Sequence, residues 1–419
     1  MKKCIILRDD LANQSDERSM MKRYNKILTA VAISLLSQSV SAIPFAFEGR
    51  SLGMGGVAVA TADLATASWA NPAMLTNQRP SDNFSLLIGV GVFIRDNDDL
   101  VTDVENFQSA DDRRIAATNR EEEVRAIIDM SSIAHNLEGK VIAPEASALA
   151  AMGMATDFLS YAISLRADAI AGGTVTNQSC QAIVECTLAQ AESELTSKDY
   201  NILTLEGVLM TEFGFSIAGD FQLLDRKFSI GLKPKMVDLQ SFSYQESILT
   251  ASAGFDNITK DDTTTDLGSF ASADLGLAYD VSESFRVGLN FRNLITEEFQ
   301  LQNQTLSFDT ESRLGLAYYN KFMTIGVDYD LTENKPLLAS ENFDGLKTRY
   351  LMLGAEFNAF DYAQLRIGAT KNVASDISDR AKETAYTVGV GFWLGFNLDI
   401  AATLNNNSAG AFLQTGFRF

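Results

Sequence analysis

The sequence of 419 residues lacks several features on which common protein classes depend. No stretch reaches the ~18 consecutive apolar residues of a transmembrane helix, which excludes a helical membrane protein. The single histidine, His135, has no nucleophile motif beside it, so we expect neither catalytic residues nor enzyme activity. Only six prolines occur, and long β-strands tolerate few of them.

Basic residues are also scarce. The net charge is −20, and removal of residues 1–42 leaves 27 basic against 50 acidic residues. This balance excludes nucleic acid as a partner, because nucleic-acid binding requires a basic face. Acidic blocks at 96–99 and 121–123 are typical of solvated loops, with divalent-cation binding as the alternative. We predict neither a metal site nor a cofactor.

The first 42 residues have the pattern of a leader. Basic residues at 22–26 precede a short apolar stretch, and small residues end it at Ala42, as in a secretory signal peptide that is cleaved there. Translation from Met20 or Met21 would give a signal of ordinary length. The mature protein is therefore expected outside the cytoplasm.

Of the three cysteines, two lie close together in a polar stretch, at Cys180 and Cys186. In an oxidising compartment this spacing favours a structural disulfide that closes a small loop. A redox-active pair would more often have two residues between the cysteines, and a metal site would need further ligands.

A cassette of apolar, Gly, apolar, small or polar, and aromatic residues recurs through the second half of the chain. Copies begin at Leu275, Val287, Leu314, Ile325 and Val388. Because side chains alternate faces along a strand, each copy has one apolar face and one small or polar face. A soluble sandwich would bury the apolar face in its core, whereas a membrane barrel would turn it toward lipid.

The last strand favours the membrane barrel. Phe417 and Phe419 share its apolar face, and a C-terminal Phe on such a strand resembles the assembly signal of bacterial outer-membrane barrels, which implies the barrel-assembly machinery and outer-membrane lipid as partners. A secreted chain without a membrane helix must close its sheet in order to span lipid.

The pattern of strands supports this interpretation, because their number is even and short turns alternate with longer links. The predicted strands are 83–94, 147–155, 157–170, 200–222, 227–241, 270–279, 284–294, 311–319, 322–330, 347–357, 362–370, 384–394, 396–404 and 410–419. We therefore predict an all-β fold: a transmembrane antiparallel barrel of about 14 strands over 83–419, in the outer membrane of a Gram-negative cell. Pro234 should require a bulge or a strand end.

One segment of the barrel region breaks the pattern. Within 95–146, apolar residues recur at helical spacing from Val101 to Phe107 and from Val124 to Ile128. We predict one or two amphipathic helices in the first outside loop. Two interpretations stay open: a cap packed on the barrel mouth, or a binding flap or partner surface.

Residues 43–82 do not resemble strands, and we predict that they form a hatch in the barrel lumen. Small residues dominate, and glycines permit tight turns and close packing. A phosphate-binding loop is excluded because no strand precedes the glycines. The residues chosen as the functional part of the hatch are Gly53, Gly55, Gly56, Asp63, Asn71, Pro72 and Ala73.

The segment from Gly49 to Ala73 resembles the N-terminal hatch of FadL-type outer-membrane transporters, through its Gly-Arg-Ser start, Gly-Gly pair and Asn-Pro-Ala turn. It is most similar to proteins labelled conjugal transfer protein TraF, which share the acidic helical insert and a Gly-x-x-Pro-Lys strand, here 231–235. The resemblance implies a 14-stranded barrel with a lumenal hatch and passive uptake of hydrophobic, fatty-acid-like molecules. The alternative is a structural or interaction protein in conjugal transfer or cell-surface contact.

Overall fold

The computed structural model describes residues 48–78, 83–96, 98–156, 158–251, 264–300, 305–334, 338–339, 347–359, 362–375, 377, 382–405 and 408–419. The predicted leader, with Cys4 and the expected cleavage after Ala42, lies outside these residues.

Within the described residues, fourteen strands close into an antiparallel barrel, so the predicted fold is confirmed. The barrel strands are β1 Phe84–Arg95, β2 Val141–Ala155, β3 Ser160–Asn177, β4 Asn201–Leu223, β5 Arg226–Ser247, β6 Thr265–Ser282, β7 Phe285–Arg292, β10 Glu311–Tyr319, β11 Met323–Asp330, β13 Tyr350–Ala359, β14 Ala363–Asn372, β15 Thr384–Trp393, β16 Asn397–Asn405 and β17 Ser408–Arg418. Pairing of β1 with β17 closes the barrel, and the amide of Phe84 donates to the carbonyl of Phe419 at 2.8 Å.

Other elements lie inside the barrel or beside it. A small sheet is formed by β8 Glu297–Gln300, β9 Thr305–Phe308 and β12 Leu338–Ala339. The described helices are α1 Gly49–Gly53, α2 Ala67–Ala70, a 3₁₀ helix Pro72–Thr76, α3 Leu100–Ile115, α4 Arg120–Leu137 and α5 Leu188–Leu195. None of these is long and apolar enough to cross a membrane.

The two faces of the wall differ as the cassette predicts. On β1, the apolar side chains of Leu86, Ile88 and Val90 are exposed on the outside, and the same holds for Val388 on β15. Glycines and charged side chains alternate with them on the buried inner face. An exposed apolar exterior around a polar interior is the arrangement of a barrel whose wall is in contact with lipid.

Strands β2, β3, β5 and β6 extend further than predicted, whereas β4 has the predicted length of 23 residues. The five strands contain 15 to 23 residues, whereas a tilted span needs about 9–11. The prediction that Pro234 needs a bulge or a strand end was wrong. The pairing of β4 with β5 is instead interrupted between Gly214–Lys235 and Ile217–Leu232 with its register unchanged, so the missing amide donor costs ladder bonds only locally.

The helical insert packs against the outside of these extensions, so a cap on the barrel mouth was the wrong interpretation. Ile142 on β2 and Leu205 on β4 are buried with Leu137 of α4 in one apolar cluster. Leu205 and the exposed Leu209 differ by four positions and so share the outer face of β4. The helices thus cover the outer face where the strands rise above the lipid-facing belt.

The insert is fixed at its start by a capping carboxylate. Asp96 accepts hydrogen bonds from the amides of Leu100 (2.5 Å) and Val101 (2.8 Å), at the N-terminus of α3. Burial raises the pKa of Asp96, while the two donated hydrogen bonds act in the opposite direction. Between β3 and β4, Cys180 and Cys186 are joined by a disulfide, and the amide of Ala182 donates to Ser131 of α4 at 2.8 Å.

Candidate functional site in the lumen

The hatch, residues 48–78, lies inside the barrel, and most of its side chains are fully buried. Glu48 begins α1 by accepting hydrogen bonds from the amides of Arg50 and Ser51. Gly55 and Gly56 then adopt φ angles of 71° and 88°, which only glycine adopts without strain, and the chain turns there.

Of the wall glycines that face the hatch, eight lie on eight neighbouring strands, from β5 to β15. We call this set the glycine girdle. A Cβ atom added to any of them would lie 3.0 Å or less from an atom of the hatch, which no ordinary packing permits. Its members are Gly231, Gly276, Gly288, Gly315, Gly326, Gly354, Gly368 and Gly389. The central glycine of each internal cassette therefore provides the surface on which the hatch backbone rests.

Ion pairs and hydrogen bonds attach the hatch to the wall. Arg50 binds Glu356 of β13 through two hydrogen bonds of 2.9 and 3.0 Å, and Glu356 also binds Arg366 at 2.7 Å. On the next strand, Asp328 accepts from the amides of Ala58 (2.8 Å) and Val59 (2.9 Å). Charge-assisted bonds of this kind hold a segment more firmly than neutral ones.

The Asn71–Pro72–Ala73 turn is a second attachment point. The Asn71 amide donates to the carbonyls of Val59 (2.9 Å) and Leu277 (3.1 Å), and its oxygen accepts from Ala73. Asn290 of β7 donates to the carbonyl of Ala70 at 2.7 Å. These contacts join the turn both to the hatch and to the wall, so the turn positions the hatch.

Asp63, also selected from the sequence, organises the hatch locally. Its carboxylate accepts from the amides of Ala65 and Thr66 and from the Thr66 hydroxyl, at 3.1 to 3.3 Å. The residue lines a polar cavity of 230 Å³ on the periplasmic side of the hatch, together with Arg50 and Arg366. Asn320 and Asn397, which lie at short turns, mark the mouth of that cavity.

Directly on the extracellular side of the hatch, the lumen is crossed by buried ion pairs, which we call the ionic layer. On one side of the barrel, Lys235 lies 3.0 Å from Glu212 and 2.8 Å from Asp274. The pairs of the layer are Arg166–Asp168, Lys233–Glu212, Lys235–Glu212, Lys235–Asp274, Arg292–Glu311 and Arg313–Asp330. Removing one partner would leave a buried charge unpaired, which is costly.

Above the ionic layer the lumen becomes apolar. On β3, Ile170 follows Asp168 toward the outside, and on β6, Phe270 lies above Asp274. We call this level the apolar layer; its wall residues are Ile170, Val208, Met210, Val237, Leu239 and Phe270. Leu306 and Phe308 of β9 pack against them from inside the lumen. This layer was not foreseen from the sequence, although alternating apolar residues on β4 and β5 signal it.

The comparisons with known proteins agree with this architecture. A model of the family described as "F plasmid transfer operon, TraF, protein" matches residues 68–330, more than half of the chain, from the hatch to the end of β11. The chain belongs to this TraF family. No curated protein matches it in sequence.

Among solved structures, the Ralstonia pickettii toluene transporter TbuX is similar over 90% of this TraF-family chain and 99% of its own, at 14% identity and a TM-score of 0.50. The P. putida toluene transporter TodX (90% and 99% covered, 11% identity, TM-score 0.49) and a Pseudomonas aeruginosa FadL homologue (91% and 98%, 10%, 0.48) are also similar. At this identity the likeness to TbuX shows the fold alone, a FadL-type barrel, as the sequence predicted.

Proposed function

We propose that this TraF-family barrel is a passive route for hydrophobic small molecules across the outer membrane. The observation that carries the proposal is the apolar layer, which lies in the lumen behind the extracellular rim and above the hatch. Apolar pockets with few polar groups are the usual sites for hydrophobic ligands. The hatch below would be the gate, since noncovalent contacts of the described residues hold it to the wall.

The location, the cargo and the assembly signal in this proposal rest on the sequence and on the similar structures. The expected location is the outer membrane, reached after signal cleavage near Ala42. Fatty-acid-like molecules are the expected cargo, and TbuX and TodX are named as toluene transporters, so toluene is a second probe. Phe417 and Phe419 would direct assembly of the barrel.

Transport can be tested in vesicles that contain the purified protein. Entry of toluene and of oleate should exceed that in empty vesicles, and the Asn71→Ala variant should change the rate because the hatch loses three hydrogen bonds. Lipids that co-purify with the protein in detergent should include an apolar ligand. Entry no faster than in empty vesicles for both probes would refute the proposal.

A second candidate function is cell-surface contact, including conjugal transfer. Ile183 and Val184, at the tip of the disulfide-closed loop, are 64% and 72% exposed, and Ile183 has a φ of 70°. The tight turn closed by the disulfide holds Ile183 in this conformation and presents the two apolar side chains to solvent. Replacing both residues with serine should then reduce mating or adhesion while hydrophobic uptake is preserved; the reverse result would support transport alone.

A further inference from the structure

Between β7 and β10, where the sequence predicts a link outside the barrel over 295–310, the described strands β8 and β9 lie in the lumen. Strands β8 and β9 pair over four residues as an antiparallel hairpin, which we call the lumenal hairpin. Leu306 and Phe308 on β9 are 0% and 3% exposed, although they belong to a connection at the extracellular end of the barrel. The hairpin therefore inserts two apolar side chains into the apolar layer.

Aromatic contacts define the seat of Phe308. Its ring centroid lies 4.9 Å from that of Phe270 on the wall, and Phe299 of β8 packs edge-on to Phe308 at 6.3 Å. Such tilted arrangements are favourable for benzene rings. The seat thus holds a benzyl group against an aromatic and aliphatic wall.

The attachment of the hairpin is local. At its base, Thr310 donates to the carbonyl of Asn293 at 2.8 Å, and the amide of Asn293 donates to Asp274 at 3.0 Å. Beyond this neck, β8 and β9 belong to a small sheet that is separate from the barrel sheet. Apolar packing of Leu306 and Phe308, together with the pairing of β9 with β12, holds the described part of the hairpin in the lumen.

We infer that the apolar layer is a binding site for a compact apolar molecule about as large as a benzyl group, and that the lumenal hairpin occupies this site in the empty protein. The inference rests on the proposed function and names the site and its regulation. Because Leu306 and Phe308 fill the seat, a ligand has to displace them. The hairpin is thus a tethered competitor of the cargo.

The competition has a measurable consequence. If the seat is free in about one molecule in ten, the apparent Kd for a ligand is about tenfold weaker than for a permanently free seat. Toluene is the probe, because its benzene ring and single methyl carbon match the end of a Phe side chain. The protein is studied in lipid nanodiscs. We expect Phe308→Ala, and to a smaller extent Leu306→Ala, to tighten toluene binding by about that factor.

Ser307→Ala is the matched control. Ser307 lies between the two apolar residues on the opposite face of β9 and is half-buried, so its variant should bind toluene as the wild type does. Val208→Trp, which fills the seat from the wall, should abolish binding. A gel-mobility shift on boiling that equals the shift of the wild type confirms that each variant still forms a barrel.

The same variants separate this inference from the proposed function. Toluene binding that is unchanged by Phe308→Ala and by Val208→Trp would overturn the inference, even if toluene entered vesicles. Tighter binding by Phe308→Ala and none by Val208→Trp would support the site, even if no toluene entered, in which case the transport proposal alone would fail.

Discussion

Substitution of one residue of the glycine girdle tests whether the hatch needs wall positions that carry no side chain. In Gly288→Ala, the new Cβ would lie 2.7 Å from the carbonyl oxygen of Val59, and a Cβ on the paired Gly315 would lie 2.7 Å from the Cβ of Val59. Val59 is also held by Asn71 and by Asp328. The hatch would therefore have to move away from the wall at Val59, where these two hydrogen bonds hold it.

The size of the effect follows from overpacking, which costs about 1–3 kcal/mol in a filled interior. The preference of a strand for alanine over glycine does not offset this cost, because β7 stays folded whether or not the hatch is displaced. A loss of about 1–2 kcal/mol raises the population of a displaced hatch by a factor of roughly 5–30. The Gly288→Ala, Gly315→Ala double variant should exceed either single variant.

Single-channel recording in planar bilayers measures this population as the frequency of open events. The matched control is Gly219→Ala, since a Cβ there would meet only Leu159 at 3.1 Å and the carbonyl of Phe158 at 3.9 Å, away from the hatch. Equal opening frequencies for the wild type, Gly288→Ala and Gly219→Ala, all with intact barrels, would refute the role assigned to the girdle.

Three further outcomes are expected. Arg50→Met should destabilise the hatch by about 1.5–3 kcal/mol, because Glu356 loses its two hydrogen bonds to the hatch but keeps Arg366, and more open events should appear; unchanged currents would contradict this. Asn71→Ala should cost about 1–3 kcal/mol and increase protease access to the hatch, whereas Asn77→Ala, which loses only the bond to Ala62, should have less effect. Replacing Cys180 and Cys186 by serine should loosen their loop by about 2 kcal/mol, seen as faster proteolytic cleavage there, with unchanged gel mobility of the barrel.

The sequence was sufficient to predict the barrel, because strand alternation and turn length are local properties. The ends of the strands were less predictable. The third barrel strand was predicted to stop at 170, yet β3 continues to Asn177, where helices cover the outer face beyond the lipid-facing belt. Packing partners far apart in sequence decide such boundaries.

The contacts within the lumen were beyond prediction for the same reason. Alternation indicated that Gly288 faces inward, but not that it meets Val59, which lies more than 200 residues earlier. Arg50 was seen only as part of a motif, and its partner Glu356 is 306 positions away. The lumenal hairpin was missed because a link between two strands carries no local sign that it folds inward.

The helical insert lies on one side of the barrel, so the outer surface of the molecule is asymmetric around the barrel axis. Helices α3 and α4 stand along the flank formed by β2 and β4, whereas the opposite flank, from β10 to β16, presents its apolar strands directly. Above the lipid-facing belt, a neighbouring molecule would therefore meet a helical, charged surface on one flank, whereas no described helix covers the strands of the other flank.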